Sequence, residues 1–431
     1  MSGPDVLLLL LTAGCFIGLV IAVKLPVSLS LALSSVALAL AAGRGFPLSH
    51  LVEGTFSYLD VVLVLLTAMV FMKVIEANGL LAELTQSTIV ALGGSPLLVL
   101  TALTLVIMFP GMITGSCSAS VLGTGVIVAP ALMRMGLSRT ETGAFISSAA
   151  VYGMIAPPVN VPVMIIGGGI DMPYIGFGLV LTVLTVVPAI LTTLWIARGK
   201  VKRATLAEVV AEARSRLSES EFHGWRRFAL YLPLVVIVAL MVGPRTMPGS
   251  FPDPRLPLTF LIGSVLGMLT GRRVALIAAA RAGVSEILPV VGILVGVGML
   301  IETLTLTGLR GGIVVGALSI PSVFLFAGIA LILPLFGGIS VYGGASVLGV
   351  PFALALLGRN QIIVLSALSL VGAMGSYVPP VAFTPMVTAG ILGEDYMRIV
   401  RRCAVPAVAA VVLGTLILIY ANEFARLVGL S

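Results

Sequence analysis

The chain has 431 residues, 59% of them apolar and only 10% charged, under half of the roughly 25% charge of an ordinary soluble domain. A mean hydropathy of +1.20, gathered in long blocks, excludes a soluble enzyme, a nucleic-acid binder and a disulfide-stapled secreted scaffold. It points to an all-α polytopic membrane protein, in which the net charge of +7 is the excess that cytoplasmic loops carry.

Residues 5–23 have no Lys or Arg before Lys24 and no small-residue cleavage site, so they are expected to be a retained first span. About 20 mostly apolar residues cross a membrane. Spans are accordingly predicted at 5–23, 27–43, 59–77, 143–170, 176–197, 228–243, 256–270, 286–307, 361–392 and 403–421. Two apolar regions, 96–133 and 321–357, are broken in the middle by Gly/Ser clusters. Their arms, about 15 residues each, are short for a crossing. Irregular backbone at membrane depth needs protein or a cavity around it, and both regions are therefore expected to be re-entrant hairpins.

The connector 198–227 holds eight Lys/Arg and is placed in the cytoplasm. Counting spans outward from it puts eighteen of the 24 basic residues inside. Both termini and the second hairpin then face the external side, and the first hairpin opens from the cytoplasm. Within the connector, Leu206, Val209, Val210, Ala213 and Leu217 recur at helical spacing. That pattern suits an amphipathic helix on the membrane surface and a solvated linker helix equally.

The two halves repeat. Ser118-Ala-Ser-Val-Leu-Gly123 matches Gly344-Ala-Ser-Val-Leu-Gly349, and Pro130 matches Pro351. Pro157-Pro158-Val159 matches Pro379-Pro380-Val381, and Tyr174 matches Tyr396. Glu76 with Gly79-Leu80 precedes the first hairpin, as Glu302 with Gly308-Leu309 precedes the second. By span parity the halves run in opposite directions. The chain thus divides into a first inverted repeat, 1–197, the connector 198–227, and a second repeat, 228–431. The first contains scaffold 1–58, hairpin 96–133 and broken helix 143–170; the second contains hairpin 321–357 and broken helix 361–392. Inverted repeats with discontinuous helices are a mark of secondary transporters, with the solute site at the repeat interface.

The chemistry available there is neutral. Ser116 and Ser118 in the first tip, and Ser340 and Ser346 in the second, offer hydroxyls. Unwound carbonyls add hard oxygen ligands for an alkali cation. Each Pro-Pro pair removes two N–H donors and disfavours helix before it, so Ala156 and Val378 are expected to carry free carbonyls. Asn160 and Thr384 follow as the polar side chains best placed to touch a solute. Both hairpins and both broken helices lack Asp, Glu, Lys, Arg and His. A proton relay normally needs such groups, so a cation held by neutral oxygens is the expected coupling ion. Cys15, Cys117 and Cys403 form no disulfide framework. His50 and His223 lie in hydrophilic connectors, which argues against a His-based metal site. No phosphate-binding loop is present. A channel would need a continuous polar pore, and a membrane enzyme an intramembrane catalytic constellation, for which only Glu302 is on offer.

The run Pro110–Gly136, with Gly115-Ser116-Cys117-Ser118, Pro130 and the Arg-Met-Gly turn, resembles the large membrane subunit of tripartite ATP-independent periplasmic (TRAP) transporters, as do Ile155-Ala-Pro-Pro and Val378-Pro-Pro-Val. The resemblance implies a sodium-coupled elevator that takes up organic acids across the inner membrane. It also implies a small membrane subunit and an extracytoplasmic solute-binding protein as partners, and no organic cofactor. Sodium would sit at Gly115, Ser116, Ala156, Pro157, Gly338 and Val378. The sequence departs from the family where Ala382 replaces a glycine, where Val159-Asn160 replaces a serine, and where the second tip lacks an acidic residue. Those departures leave room for a carrier that works alone.

Overall fold

The computed structural model describes residues 3–247, 252–317 and 321–429. The outermost positions of the domain division, 1–2 and 430–431, lie outside them. Every regular element among the described residues is helical. In chain order these are α1 (Gly3–Ile21), α2 (Val27–Ala41), α3 (Leu48–Phe56), α4 (Leu59–Ala77), α5 (Leu80–Leu92) and α6 (Pro96–Thr114). A continuous helix over Cys117–Arg134 follows: α7 (Cys117–Ala119), a π turn (Ser120–Gly125) and α8 (Val126–Arg134). Next come α9 (Arg139–Met154), α10 (Val161–Gly169), α11 (Gly178–Ala197) and α12 (Arg203–Ser218). The second half holds α13 (Trp225–Thr246), α14 (Arg255–Leu269), α15 (Leu276–Leu306), α16 (Leu309–Ala317) and α17 (Ser322–Gly337). After α18 (Val341–Gly344), a π turn (Ala345–Gly349) and α19 (Val350–Ala355) come α20 (Gln361–Ala373), α21 (Phe383–Leu392), α22 (Tyr396–Ile419) and α23 (Ala421–Leu427).

Six helices among the described residues are long and apolar enough to cross a membrane, and the molecule is a multi-pass membrane protein. Two of the six are the arms of the first hairpin, at 19 and 18 residues, longer than the expected fifteen or so. Short α3, α5 and α16 have no counterpart among the predicted spans, because a length criterion near 20 residues does not see helices of 9, 13 and 9. Conversely α15 starts ten residues before its predicted span, taking Arg281 into the helix.

Helices group by contact rather than by order. α15 packs along α2, α3 and α4, while α14 packs on α4 and α13 on α14. A second group joins α6 to α9, α9 to α11 and α22, and α17 and α22 to α20. The corner between α4 and α5 is fixed by Asn78, whose Oδ1 accepts from Leu80 N at 3.0 Å and whose Nδ2 donates to Gly267 O at 3.0 Å. The connector helix α12 packs on α5 and α8, burying Leu206, Val209 and Ala213. Its Glu212 pairs with Arg134 and Arg216. It lies against protein, so the apolar stripe read from the sequence covers neighbouring helices.

Candidate functional site

The two hairpin tips share an extended serine cap and a π turn but end their first arms differently, Gly338 being right-handed helical (φ −63°) where Gly115 is left-handed. α6 stops at Thr114 because Gly115 takes a left-handed conformation (φ 65°), which a side chain would resist. Ser116 is extended and caps the next helix, its Oγ accepting from Ala119 N at 3.4 Å. In the second hairpin Ser340 is extended and accepts from Gly343 N at 3.1 Å. A π turn follows each cap within one helical turn, a distortion that recurs at functional sites. In the first, Ser120 Oγ accepts from Gly111 N at 2.8 Å. Its counterpart in the second, Ser346, has a buried hydroxyl with no partner.

Each tip lies against one Pro-Pro break. Both pairs, Pro157-Pro158 and Pro379-Pro380, are cis and sit in non-helical backbone. Paired glycines bring the segments together four residues before each pair. A Cβ on Gly111 would lie 2.9 Å from the Gly153 carbonyl carbon, and one on Gly375 would lie 2.6 Å from Gly337 Cα. Val159 N donates to Met112 O at 3.1 Å, and Gly338 abuts Val378. Finally Tyr342 Oη donates to Gly115 O at 2.6 Å, joining the second tip to the first. Each half-helix beyond a break packs on the opposite hairpin, α10 on the second and α21 on the first.

The sequence-selected residues fall into three situations. Gly115, Ser116, Ala156 and Pro157 gather around the first tip, and Gly338, Ser340 and Val378 around the second. Ser118 is half-buried on α7. Ser346 and Thr384 are buried, with hydroxyls that find no hydrogen-bond partner among the described residues. Asn160 is committed internally: it caps α10 through Val163 N at 2.9 Å, accepts from Ser369 Oγ at 2.9 Å and donates to Ile155 O. These bonds brace the break and leave one Nδ2 hydrogen uncommitted among the described residues. The expectation of a free Val378 carbonyl needs correcting, since Ala382 N donates to it at 2.9 Å, made possible by the left-handed Ala382 (φ 34°). No such donor reaches the Ala156 carbonyl among the described residues.

Three features were not read from the sequence. Tyr342 bridges the tips; its signal was a lone hydroxylated aromatic in a glycine-rich turn. The Ser147–Thr388 hydroxyl pair at 3.0 Å ties α9 to α21, and Ser369 reaches Asn160 across the two halves. Isolated serines and threonines in apolar helices carry no sequence signal for such pairings. At the connector end, outside the spans, Glu394 accepts from Asp395 N at 3.0 Å and from Thr140 Oγ1 at 3.0 Å. These donors, led by the Asp395 N–H, hold its carboxyl below the usual carboxylate range.

In fold the chain is similar to the YdaH transporter of Alcanivorax borkumensis, with a TM-score of 0.64 over 87% of this chain and 88% of that one at 15% identity. In sequence it is similar to the isethionate TRAP transporter permease protein DctMQ of Oleidesulfovibrio alaskensis, 26% identical over 271 residues. The match takes in 60% of this chain but only 40% of that relative's length. The model of the family described as the tripartite ATP-independent periplasmic transporter, DctM component, matches residues 14–424. The chain therefore belongs to the DctM-component family, a family of transporters and not of enzymes.

Proposed function

We propose that the chain is the large permease subunit of a tripartite system that couples sodium entry to uptake of a small organic anion across the bacterial inner membrane. The observation that carries this reading is the bridged pair of tips: two hairpins, each against its own Pro-Pro break, meet through Tyr342 and Gly115 with no charged side chain in any of the four segments. An anion is then held by hydroxyls and helix N-termini. Ser116, Ser118, Ser340, Ser346 and Thr384 are the candidates, the last two bringing unpartnered hydroxyls. Co-transported sodium takes carbonyl and hydroxyl oxygens, at Gly115, Ser116, Ala156 and Pro157 on one side and at Gly338 and Val378 on the other. Val378 has one lone pair left for it after Ala382 N.

The halves act as inverted repeats. The hairpins and broken helices form a unit that slides as an elevator past the group built on α15, with 198–227 in the cytoplasm and both termini outside. The solute is a small carboxylate or dicarboxylate; the isethionate named for the relative widens the class to small sulfonates. A small membrane subunit and an extracytoplasmic solute-binding protein complete the system.

The test is uptake into proteoliposomes with the three components, comparing a dicarboxylate and isethionate with and without an inward sodium gradient. Accumulation of one of them only under the gradient is expected. Accumulation indifferent to sodium sinks the coupling, and full uptake without the binding protein makes the chain a stand-alone carrier.

A further inference from the structure

Away from the tips, the fold gathers three side chains that the sequence keeps far apart. His50 corrects the sequence expectation of a connector histidine remote from any metal site: it stands with Glu53 at i and i+3 on α3, so the two share one face of that helix. Glu302 comes from α15. Their ligand atoms, one imidazole nitrogen and one oxygen from each carboxylate, all lie within 4.8 Å of one another. The meeting follows from two glycines at the crossing: a Cβ on Gly54 would lie 2.6 Å from Met299 Cα, and Gly298 touches the Gly54 backbone in the same way. With the backbones this close, Glu302, one turn beyond Gly298, reaches across to the His50–Glu53 face.

The electrostatics of the cluster are unfinished. Among the described residues no lysine or arginine pairs with Glu53 or Glu302, so two carboxylates converge with only an imidazole between them. His50 Nδ1 is buried and has no hydrogen-bond partner; it faces Glu53 Oε2 at 3.6 Å. Ser57 Oγ donates weakly to Glu302 Oε1 at 3.5 Å. A cation would relieve the repulsion and use the orphaned nitrogen together.

We propose that His50 Nδ1, Glu53 and Glu302 form a binding site for a divalent transition-metal ion of the zinc class, which pins α3 to α15. One imidazole and two carboxylates neutralise a divalent ion, and nitrogen with few oxygens suits zinc or cobalt better than calcium, which takes 6–8 oxygens. Zinc bonds of about 2.0–2.1 Å place tetrahedral ligand atoms about 3.4 Å apart. The 3.6 Å between Nδ1 and Oε2 meets that spacing, and a change of Glu302 rotamer brings in the third ligand. Water completes the shell. The site belongs to the group built on α15 and is independent of the transport reading.

The experiment uses the untagged, chelator-treated full chain in detergent, titrated with Zn²⁺ by calorimetry and with Co²⁺ by its visible absorption. One site per chain is expected, undisturbed by excess Ca²⁺, with Zn²⁺ raising the melting temperature. His50→Ala, and separately the near-isosteric Glu302→Gln, should weaken binding at least about tenfold. The metal-free melting temperature of Glu302→Gln should match the parent, which separates a lost ligand from a damaged fold. No binding by the parent chain, binding that survives both substitutions, or equal competition by Ca²⁺ overturns the proposal.

Discussion

Tyr342 shows how much can rest on one hydroxyl. Its ring is anchored in the second tip while its Oη holds the Gly115 carbonyl of the first, so the bond reports on how the tips are set against each other. Tyr342→Phe keeps the ring and removes a hydrogen bond with a net value of about 0.5–1.5 kcal/mol. Uptake should then change by about 2–10-fold in apparent affinity or rate, with the melting temperature nearly unmoved; kinetics equal to the parent would remove the bond from the site. Gly375 tests the packing beneath. An alanine there must push against the Gly337 backbone, and overpacking of this kind costs about 1–3 kcal/mol. Gly375→Ala should lower both the melting temperature and uptake, whereas Gly390→Ala, with open space around it, should change neither. Both glycines sit in apolar sequence and look alike from it. The serines and glycines of the tips could be singled out because they cluster; Asn160 could not be seen as a brace, since its partner Ser369 is 209 positions away.

The helix α5, which the sequence did not announce, is placed by polar side chains. α5 is fastened at the connector end by Glu83, nearly buried, whose carboxylate meets Arg227 Nε at 2.7 Å and Ser220 Oγ at 3.1 Å. Hydropathy finds 20-residue spans and passes over a 13-residue helix whose position depends on an ion pair 144 residues apart. Removing the arginine strands the carboxylate. Because Arg227 is over a third exposed, the penalty falls below that of a fully buried pair, and Arg227→Ala should lose about 1–3 kcal/mol, read as a lower melting temperature in detergent. The turn between α21 and α22 depends on pH through Glu394. Its carboxyl is depressed in the folded chain by the Asp395 N–H and the Thr140 hydroxyl, so its contribution is complete above the ordinary carboxylate value of about 4.3. That contribution is lost as pH falls through the lower folded value. Glu394→Gln should melt below the parent at neutral pH and converge with it in strong acid. A gap that persists in acid would show that charge is not the cause.

The two groups of helices meet at a seam, and the seam is where the proposed movement can be caught. Tyr58, at the start of α4, donates to Ile165 O of α10 at 2.8 Å. Arg310, on α16, pairs with Asp171 just beyond α10 at 2.7 Å. The Gly/Ser tips and the Pro-Pro breaks were legible as interruptions of helix, because those constraints are local. The membership of each group was not, because it is decided by long-range packing such as α15 along α2, α3 and α4. The breaks also differ in setting: Pro157-Pro158 is half-buried, while Pro379, Pro380 and Val381 are exposed, so pseudo-symmetric sequence occupies unequal surroundings in one conformation. α16 packs both on α15 and on α19 of the second hairpin; if it stays with α15 while α10 travels with the hairpins, the Arg310–Asp171 contact must break in every cycle. Replacing both by cysteine, with half-buried Cys15 changed to serine and the buried Cys117 and Cys403 left in place, allows a short bifunctional thiol reagent to bridge them. Bridging should abolish uptake, a cleavable reagent should restore it on reduction, and each chain carrying only one of the two introduced cysteines should be indifferent. Undiminished uptake by the bridged chain would mean that α10 and α16 keep their contact throughout transport, and the sliding unit would have to be drawn without α10.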